Sequence, residues 1–254
     1  MQFINGIRIE WLKTKRSAAS WLCLVGGFFL PLMSFIGFLK DHKTIDNFSG
    51  PVNSWLVYFV HLREFLVIAL LPMGIILVTS LITQVEYRNN SWKLVHTLPR
   101  TWLHTFSTKL AVLLLMVFKF FIFFNAGMLL AALLPVLLFE HRLPRDPVPV
   151  VALLRANLHI FIVCLPVIAL QYLFSLRFRN FLVPLGLGLL LWIGSLILVQ
   201  NWSYAWISPY SYTGLLTQPK ANTAGINIFA LALVYFPAIT TISFLLYYFK
   251  RDKS

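Results

Sequence analysis

The chain has 254 residues, of which 59% are hydrophobic and 11% charged, and its net charge is +13. An average soluble domain has roughly 45–50% apolar and about 25% charged residues. The composition therefore excludes an ordinary soluble enzyme, a disordered chain and a disulfide-rich scaffold, and it predicts an all-α polytopic membrane protein forming a single transmembrane domain over residues 1–254.

The first predicted element is a helix within residues 1–19. Its spacing puts Phe3, Ile7 and Trp11 on one face, whereas Lys13 and Arg16 point away from that face. This pattern is typical of a helix that lies on the inner membrane surface, with its apolar face in the membrane and its basic edges near anionic lipids. The alternative is that these basic residues merely precede a first membrane span.

Six apolar runs follow. A transmembrane helix needs about 20 mostly apolar residues to cross a hydrocarbon core of roughly 30 Å. The predicted spans cover residues 21–39, 65–83, 111–139, 158–176, 181–200 and 228–249. Within these boundaries Lys119 is the only charged residue, and the 29-residue third run is too long for one straight helix perpendicular to the membrane.

Residues 84–110, between the second and third spans, form a predicted cytoplasmic loop that is too long for a tight helix–helix connection. Asn90 or Ser91 can cap a short helix, and Pro99 prevents its continuation. That helix would have an apolar edge beside a basic residue: Trp92, Val95 and Leu98 next to Lys93. Such an edge suits a groove on another protein, and it equally suits the membrane surface.

The placement of Lys and Arg predicts the orientation of the spans. Of the 21 basic residues, 13 lie in the amino-terminal segment, the 84–110 loop, the link after the fourth span and the carboxyl-terminal tail. Positively charged loops remain in the cytoplasm, so we expect both termini there. The basic charge thus indicates a membrane orientation, and we predict no nucleic-acid partner.

Lys119 lies about one third of the way along the predicted third span. A lysine in mid-bilayer costs at least about 2.5 kcal/mol on insertion scales. Two explanations are open. The side chain can extend to the inner headgroups, or it can face a polar cavity and contact an anionic substrate group or a lipid phosphate.

Catalytic and cofactor motifs are missing from the sequence. It has no G-x-x-x-x-G-K-[ST] phosphate loop, no H-E-x-x-H and no G-x-S-x-G. The six His residues form no i, i+3 or i, i+4 pair, and both cysteines, Cys23 and Cys164, fall within spans, where we expect them to be buried and unpaired. We therefore predict no catalytic residue, metal or cofactor in this chain.

Four segments resemble ABC transporter permeases of the ABC-2 type. "EWLKTKRS" (10–17) is similar to the family's amino-terminal opening, and "EYRNNSWKLVHTLPRTWLHTFSTK" (86–109) to the stretch between its second and third spans. Residues 175–191 and 206–216 resemble the fourth-to-fifth hairpin and the last external loop. The likeness in the second stretch rests on Glu86, Arg88, Trp92, Lys93, Leu98, Pro99 and Lys109. Length and loop style most resemble permeases of bacteriocin and lantibiotic immunity exporters.

The resemblance implies a non-enzymatic subunit of an exporter in a bacterial inner membrane. A separate ABC ATPase would bind ATP and Mg, and a second permease chain, identical or paralogous, would complete the substrate path for an amphipathic or lipid-like molecule, for example an antimicrobial peptide. The implied coupling helix, which docks on the ATPase, comprises Glu86, Arg88, Trp92, Lys93, Leu94, Val95, Leu98 and Pro99. The implied interface helix carries Phe3, Ile7, Glu10, Trp11, Lys13 and Arg16.

Two other classes of function stay open at this point. An intramembrane enzyme of lipid or cell-wall metabolism would need a polar cluster at one membrane depth, and the nearest approximation is His61, Arg63 and Glu64. We interpret that cluster as a cap at the external end of the second span. A structural membrane scaffold would need no nucleotide-binding partner.

Overall fold

A computed structural model describes residues 2–15, 17–40, 54–88, 101–139, 147–178, 180–217 and 226–249. Most of this part of the chain is helical and none of it is β-strand, which confirms the predicted all-α class. Nine α-helices occur in it: α1 Gln2–Thr14, α2 Ala18–Lys40, α3 Ser54–Phe65, α4 Leu71–Arg88, α5 Trp102–Phe139, α6 Val150–Arg177, α7 Leu182–Asn201, α8 Tyr212–Thr217 and α9 Ile228–Phe249.

Six helical segments are long and apolar enough to cross a membrane, as predicted. They are Ala18–Lys40, Trp55–Gln84, Trp102–Pro135, Val150–Arg177, Leu182–Asn201 and Ile228–Phe249. The second, third and fourth begin 8 to 10 residues before the predicted starts at 65, 111 and 158. The apolar run underestimates these helices because the backbone stays helical where polar side chains face another helix or the membrane surface.

The longer helices change which charges belong to the spans. Arg63 and Glu64 lie inside Trp55–Gln84, Lys109 inside Trp102–Pro135 and Arg155 inside Val150–Arg177. Lys119 is the only charged residue within the predicted boundaries, whereas the longer helical segments contain these charges as well. The helices also extend into both ends of the predicted 84–110 loop, because α4 continues to Arg88 and α5 begins at Trp102.

A widened turn joins α3 to α4. Residues Leu66–Leu70 form one short stretch of π-helix, so the second span is continuous from Ser54 to Arg88. Single π-turns interrupt the regular α-helical hydrogen bonding and are frequent at functional sites. Here the backbone oxygen of Ile68 accepts a hydrogen bond of 3.0 Å from the indole nitrogen of Trp192 on α7.

Helices α2 and α5 pack closely through glycines. A Cβ on Gly27 would lie 2.8 Å from the Cβ of Phe123 and 3.3 Å from the backbone nitrogen of Phe124. A Cβ on Gly127 would lie 2.9 Å from the ring of Pro31. Small residues let membrane helices approach in this way, and the resulting close packing replaces the hydrophobic drive that lipid cannot supply.

The chain folds back into the protein after α7. Two turns of 3-10 helix, Ala205–Ile207 and Pro209–Ser211, lead into α8. Tyr210 and Tyr212 are buried, and the hydroxyl of Ser195 is shared between the backbone oxygens of Trp192 at 2.6 Å and Tyr210 at 3.2 Å. Ser195 precedes the end of α7 by six residues, about 9 Å, so the fold-back segment (residues 205–217) returns alongside α7 into the helix bundle.

Candidate functional site

Lys119 lies at the junction of α2 and α5. Its ammonium group donates a 2.6 Å hydrogen bond to the Oγ of Ser20, in the first turn of α2. The same group lies 5.5 Å from the ring centre of Phe123 and 5.9 Å from that of Trp11 on α1. The side chain thus reaches the end of α2 that adjoins α1, which is the direction a snorkelling lysine takes. Its contact with lipid or substrate stays a prediction.

Helix α1 packs along the beginning of α5 through a face that begins at a glycine. A Cβ on Gly6 would lie 2.6 Å from the imidazole of His104 and 2.8 Å from the methyl group of Thr108. Glu10 and Thr14, one and two turns later, are also buried, and Glu10 accepts a 2.6 Å hydrogen bond from Lys13.

The predicted apolar stripe of α1 is only partly covered by the rest of the protein. Phe3 touches the ring of His104 at 5.9 Å between ring centres and is 45% exposed. Ile7 and Trp11 are half-buried, and Arg16 lies outside the described residues. The helix therefore contacts α5 through Phe3 and Trp11 as well as through Gly6. That its remaining apolar surface lies on a membrane is still a prediction.

The proposed coupling residues fall into two groups. Glu86 and Arg88 belong to the last turn and a half of α4. The other six lie outside the described residues: Trp92, Lys93, Leu94, Val95, Leu98 and Pro99. The coupling helix and its contact with an ATPase thus remain predictions.

An apolar cavity of about 410 Å³ opens between α2, the second span and α5. Leu22 and Phe29 mark its extent on α2, Phe65 and Val78 on the second span, and Phe120 contributes from α5. All of its lining residues are apolar, cysteine and glycine included. Its volume falls in the range of sites for small molecules, and its surface favours an aliphatic or aromatic group. We call it the apolar cavity.

A buried hydrogen-bond hub surrounds Gln171 on α6. Its amide nitrogen donates to the Oγ of Ser80 on α4 at 3.2 Å and to the backbone oxygen of Pro184 on α7 at 2.9 Å. Its amide oxygen accepts a 2.7 Å bond from the hydroxyl of Tyr210 in the fold-back segment. Gln171 is fully buried, so its hydrogen bonds connect three spanning helices and the fold-back segment where no water competes.

Two further features support the hydrogen bonding of this hub: the space left by a glycine and the protonation of a tyrosine. A Cβ on Gly188 of α7 would lie 2.5 Å from the amide oxygen of Gln171, so only glycine leaves room for the amide there. Burial raises the pKa of the Tyr210 phenol above its ordinary value. The hydroxyl therefore stays protonated and remains a donor at any physiological pH. Sequence reasoning missed the hub, although a glutamine inside an apolar run was the available signal.

The three residues of the predicted polar cluster, His61, Arg63 and Glu64, do not all lie at one site. Arg63 and Glu64 line a pocket of about 270 Å³ together with His159 of α6, whereas His61 does not line it. Arg63 follows the first residue of the segment Trp55–Gln84 by eight positions, about 12 Å, and the interpretation of the cluster as a cap stays a prediction. We call this the polar pocket.

The expectation that both cysteines are buried and unpaired is confirmed. Cys23 and Cys164 are free and buried, and Cys23 donates a 3.6 Å hydrogen bond to the backbone oxygen of Met116. Among the described residues, no group of three His, Cys, Asp or Glu side chains is arranged to hold a metal ion.

A family model described as "ABC-2 family transporter protein" matches residues 6–195, about three quarters of the chain. The chain belongs to the ABC-2 transporter family. As an ABC-2 permease it is the membrane subunit of an ABC transporter, and this family works with an ABC ATPase subunit. The match runs from within α1 through most of α7 and includes the apolar cavity, Gln171 and Lys119, whereas Leu216 and Thr217 of the polar pocket lie beyond it. A comparison with curated proteins and one with solved structures each gave no match.

Proposed function

We propose that this ABC-2 permease exports an amphipathic or lipid-like molecule, with antimicrobial peptides as candidates. The permease lies in the inner membrane of a bacterial cell, and both of its termini are in the cytoplasm. The energy comes from ATP and Mg bound by a separate ATPase subunit. A second permease chain, identical or paralogous, completes the translocation path.

The observation that carries the proposal is the apolar cavity. It lies among three membrane-spanning segments, and its lining residues offer no charged side chain to a substrate. A hydrophilic solute would lose its hydration there without gaining hydrogen bonds, which is costly. An acyl chain or the apolar face of a peptide would instead be stabilised by burial of its own apolar surface.

The route from ATPase to cavity runs through α4 and α5, which flank the predicted coupling segment. Helix α5 has 38 residues and is therefore about 57 Å long, far more than a hydrocarbon core of roughly 30 Å. Both α5 and α4 also contribute to the wall of the apolar cavity. A rigid-body tilt imposed on their ends would thus change the shape of that cavity.

Space for a second permease chain is available on the outer helices. In an apolar stretch of 18 residues, only 22% of the residues of α7 and 11% of those of α9 are buried within the described chain. Lipid or another chain must cover such surfaces in a membrane. A second copy related by a two-fold axis would give the assembly two equivalent apolar cavities.

The first experiment tests coupling. We expect the chain to co-purify with its ABC ATPase, and the combined change Trp92→Asp, Leu94→Asp and Val95→Asp to abolish this association, because carboxylates cannot enter an apolar groove cheaply. The matched control is Val150→Asp with Val151→Asp. These two exposed residues begin α6, on the side of the membrane opposite to the coupling segment in the predicted orientation. Full retention of the ATPase by the triple variant would show that the coupling assignment is wrong.

The second experiment tests export. In liposomes containing the permease and ATPase, amphipathic peptides or lipids should stimulate ATP hydrolysis, whereas hydrophilic sugars should not. Hydrolysis that ignores all added substrates argues for a scaffold. Chemical turnover by the purified chain without ATP or ATPase would instead support an intramembrane enzyme.

A further inference from the structure

The polar pocket combines charged and aliphatic walls within the spanning helices. From α3, the residues at i, i+3, i+4 and i+7 face it: Val60, Arg63, Glu64 and, in the widened turn, Val67. His159 of α6 and Thr217 of α8 add polar groups from the facing side. Three separate elements therefore converge on a space of about 270 Å³, which suits a polar headgroup better than a whole amphiphile.

Arg63 and Glu64 attract each other electrostatically, but neither forms a hydrogen bond with the described chain. Within the described residues, neither forms an ion pair as short as the 2.6 Å contact between Lys13 and Glu10. Arg63 is half-buried and Glu64 is exposed. Charged groups in membrane spans are expensive and rare, and they most often mark a binding site or a transport path.

The two charges have opposite signs and are adjacent in the chain. A guanidinium group binds a phosphate or carboxylate through two parallel hydrogen bonds, and a carboxylate accepts hydrogen bonds from an ammonium group. His159 offers a further ring nitrogen, and its ring lies on Phe229 of α9 at 4.6 Å between ring centres. The pocket is thus complementary to a molecule that carries an anionic and a cationic group close together.

We infer that the polar pocket binds the headgroup of a zwitterionic phospholipid of the ethanolamine class, with its phosphate on Arg63 and its ammonium group on Glu64. Aliphatic side chains line the pocket beside these charges, and most of the lining belongs to spanning helices. Both features favour a membrane lipid over a soluble zwitterion, because the lipid's acyl chains stay in the hydrocarbon beside α3. A ring N–H of His159 would supply an additional hydrogen bond to the phosphate, whereas the Thr217 hydroxyl already donates to the backbone oxygen of Gly214 at 2.9 Å and can only accept one from the ammonium group.

This inference goes beyond the proposed function, and it holds whether or not the chain exports peptides. It is tested on the purified full-length chain without an ATPase. A failure here would leave the coupling and export experiments unaffected, and their failure would leave this site standing.

The experiment measures bound lipid by native mass spectrometry after release from a neutral detergent. We expect the wild-type chain to retain dioleoylphosphatidylethanolamine in preference to dioleoylphosphatidylglycerol, which has the phosphate but no ammonium group. Arg63→Gln and Glu64→Gln should each reduce retention about tenfold or more, since a hydrogen bond to a charged group contributes about 1.5–3 kcal/mol. The matched control is Arg155→Gln on α6, an exposed arginine that does not line the pocket and should leave retention unchanged.

A second measurement guards against misfolded variants. Added dioleoylphosphatidylethanolamine should raise the melting midpoint of the wild-type chain and have no effect on that of Glu64→Gln, because a ligand that binds only the folded state stabilises it. Equal retention of the two lipids, or wild-type retention by Arg63→Gln, would overturn the inference. So would displacement of the lipid by an equal concentration of phosphoethanolamine, which would identify a soluble zwitterion as the ligand.

Discussion

The contact between α2 and α5 and the hub around Gln171 hold spanning helices together by opposite means. In the first, glycines bring two helices together until almost no space remains, as at Gly27 against Phe123. In the second, one glutamine forms three hydrogen bonds, to Ser80, to the backbone of Pro184 and to Tyr210. The first contact depends on volume and the second on satisfied donors and acceptors.

Because of this difference, the two regions tolerate different substitutions. Lipid removes most of the hydrophobic drive between helices, so close packing and interhelical hydrogen bonds are the main attractions left. A polar atom without a partner is costly in the hub, whereas an added methyl group is costly in the glycine contact. Substitutions that change only volume, or only a hydrogen bond, can therefore separate the two mechanisms.

Gly27→Val should have the largest effect. Its first added atom would lie 2.8 Å from the Cβ of Phe123 and within 3.3 Å of backbone atoms, which cannot move without shifting the helix. Overpacking typically costs about 1–3 kcal/mol, and we expect the upper end here. The melting midpoint in detergent should fall strongly, with a loss of monodisperse protein.

The control for this change lies on the same helix. A Cβ on Gly37 would meet no described atom within 4 Å, so Gly37→Val should be well tolerated. Equal melting midpoints for the two variants would mean that α2 and α5 are not held by close approach.

Gly188→Ala should have an intermediate effect, since it acts on the hub through volume. The added methyl group would lie 2.5 Å from the amide oxygen of Gln171 and 2.9 Å from the side chain of Ile76. We expect a loss of about 1–2 kcal/mol, because the flexible amide can move only by weakening its bond to Tyr210. Thermal unfolding in detergent measures the change.

Gly194→Ala on the same helix is the comparison, because a Cβ there would meet no described atom within 4 Å. Alanine favours a helix over glycine by up to about 1 kcal/mol, so this variant should be as stable as the wild type or more so. If Gly188→Ala behaved in the same way, the hub would have room that the structure does not show.

Tyr210→Phe should have the smallest effect. It removes one hydroxyl donor and leaves the ring in place, so Gln171 loses one of its three hydrogen bonds. Such a bond contributes about 0.5–1.5 kcal/mol in water-soluble proteins and averages about 0.6 kcal/mol between membrane helices. Tyr248→Phe, at an exposed tyrosine of α9, is the control. Equal melting midpoints for Tyr210→Phe and Tyr248→Phe would show that this hydrogen bond of the hub does not contribute to stability.

The number of spans could be predicted from the sequence, and several of their starts could not. Apolar runs reveal helices that face lipid, so α2, α7 and α9 were found nearly to their ends. The second span was cut short at Phe65 because Arg63 and Glu64 resemble an interfacial loop. Both residues line the polar pocket, whose facing wall is formed by α6 and α8. A local hydropathy pattern carries no information on which distant helix packs against a given residue.

The sites divide in the same way. The family could be identified from short motifs in chain order, and the family match confirms it at the level of ABC-2 permeases. Gln171 was visible as a polar residue in an apolar run, but its bond to Tyr210 depends on the fold-back segment, which no local pattern predicts. On α1, the periodicity indicated Phe3, Ile7 and Trp11, and Phe3 and Trp11 do contact α5. It did not indicate Gly6, where a side chain larger than hydrogen would overlap His104 of α5.

The π-helical turn Leu66–Leu70 has a thermodynamic consequence. Val67 lines the polar pocket and Leu70 lines the apolar cavity, so this one turn is a wall of both. If an occupant of either space favours one geometry of the turn, it alters the affinity of the other space, and linkage requires the same factor in both directions. A headgroup bound at Arg63 and a cargo bound near Phe120 would then act as mutual effectors, separated by the thickness of a single helix.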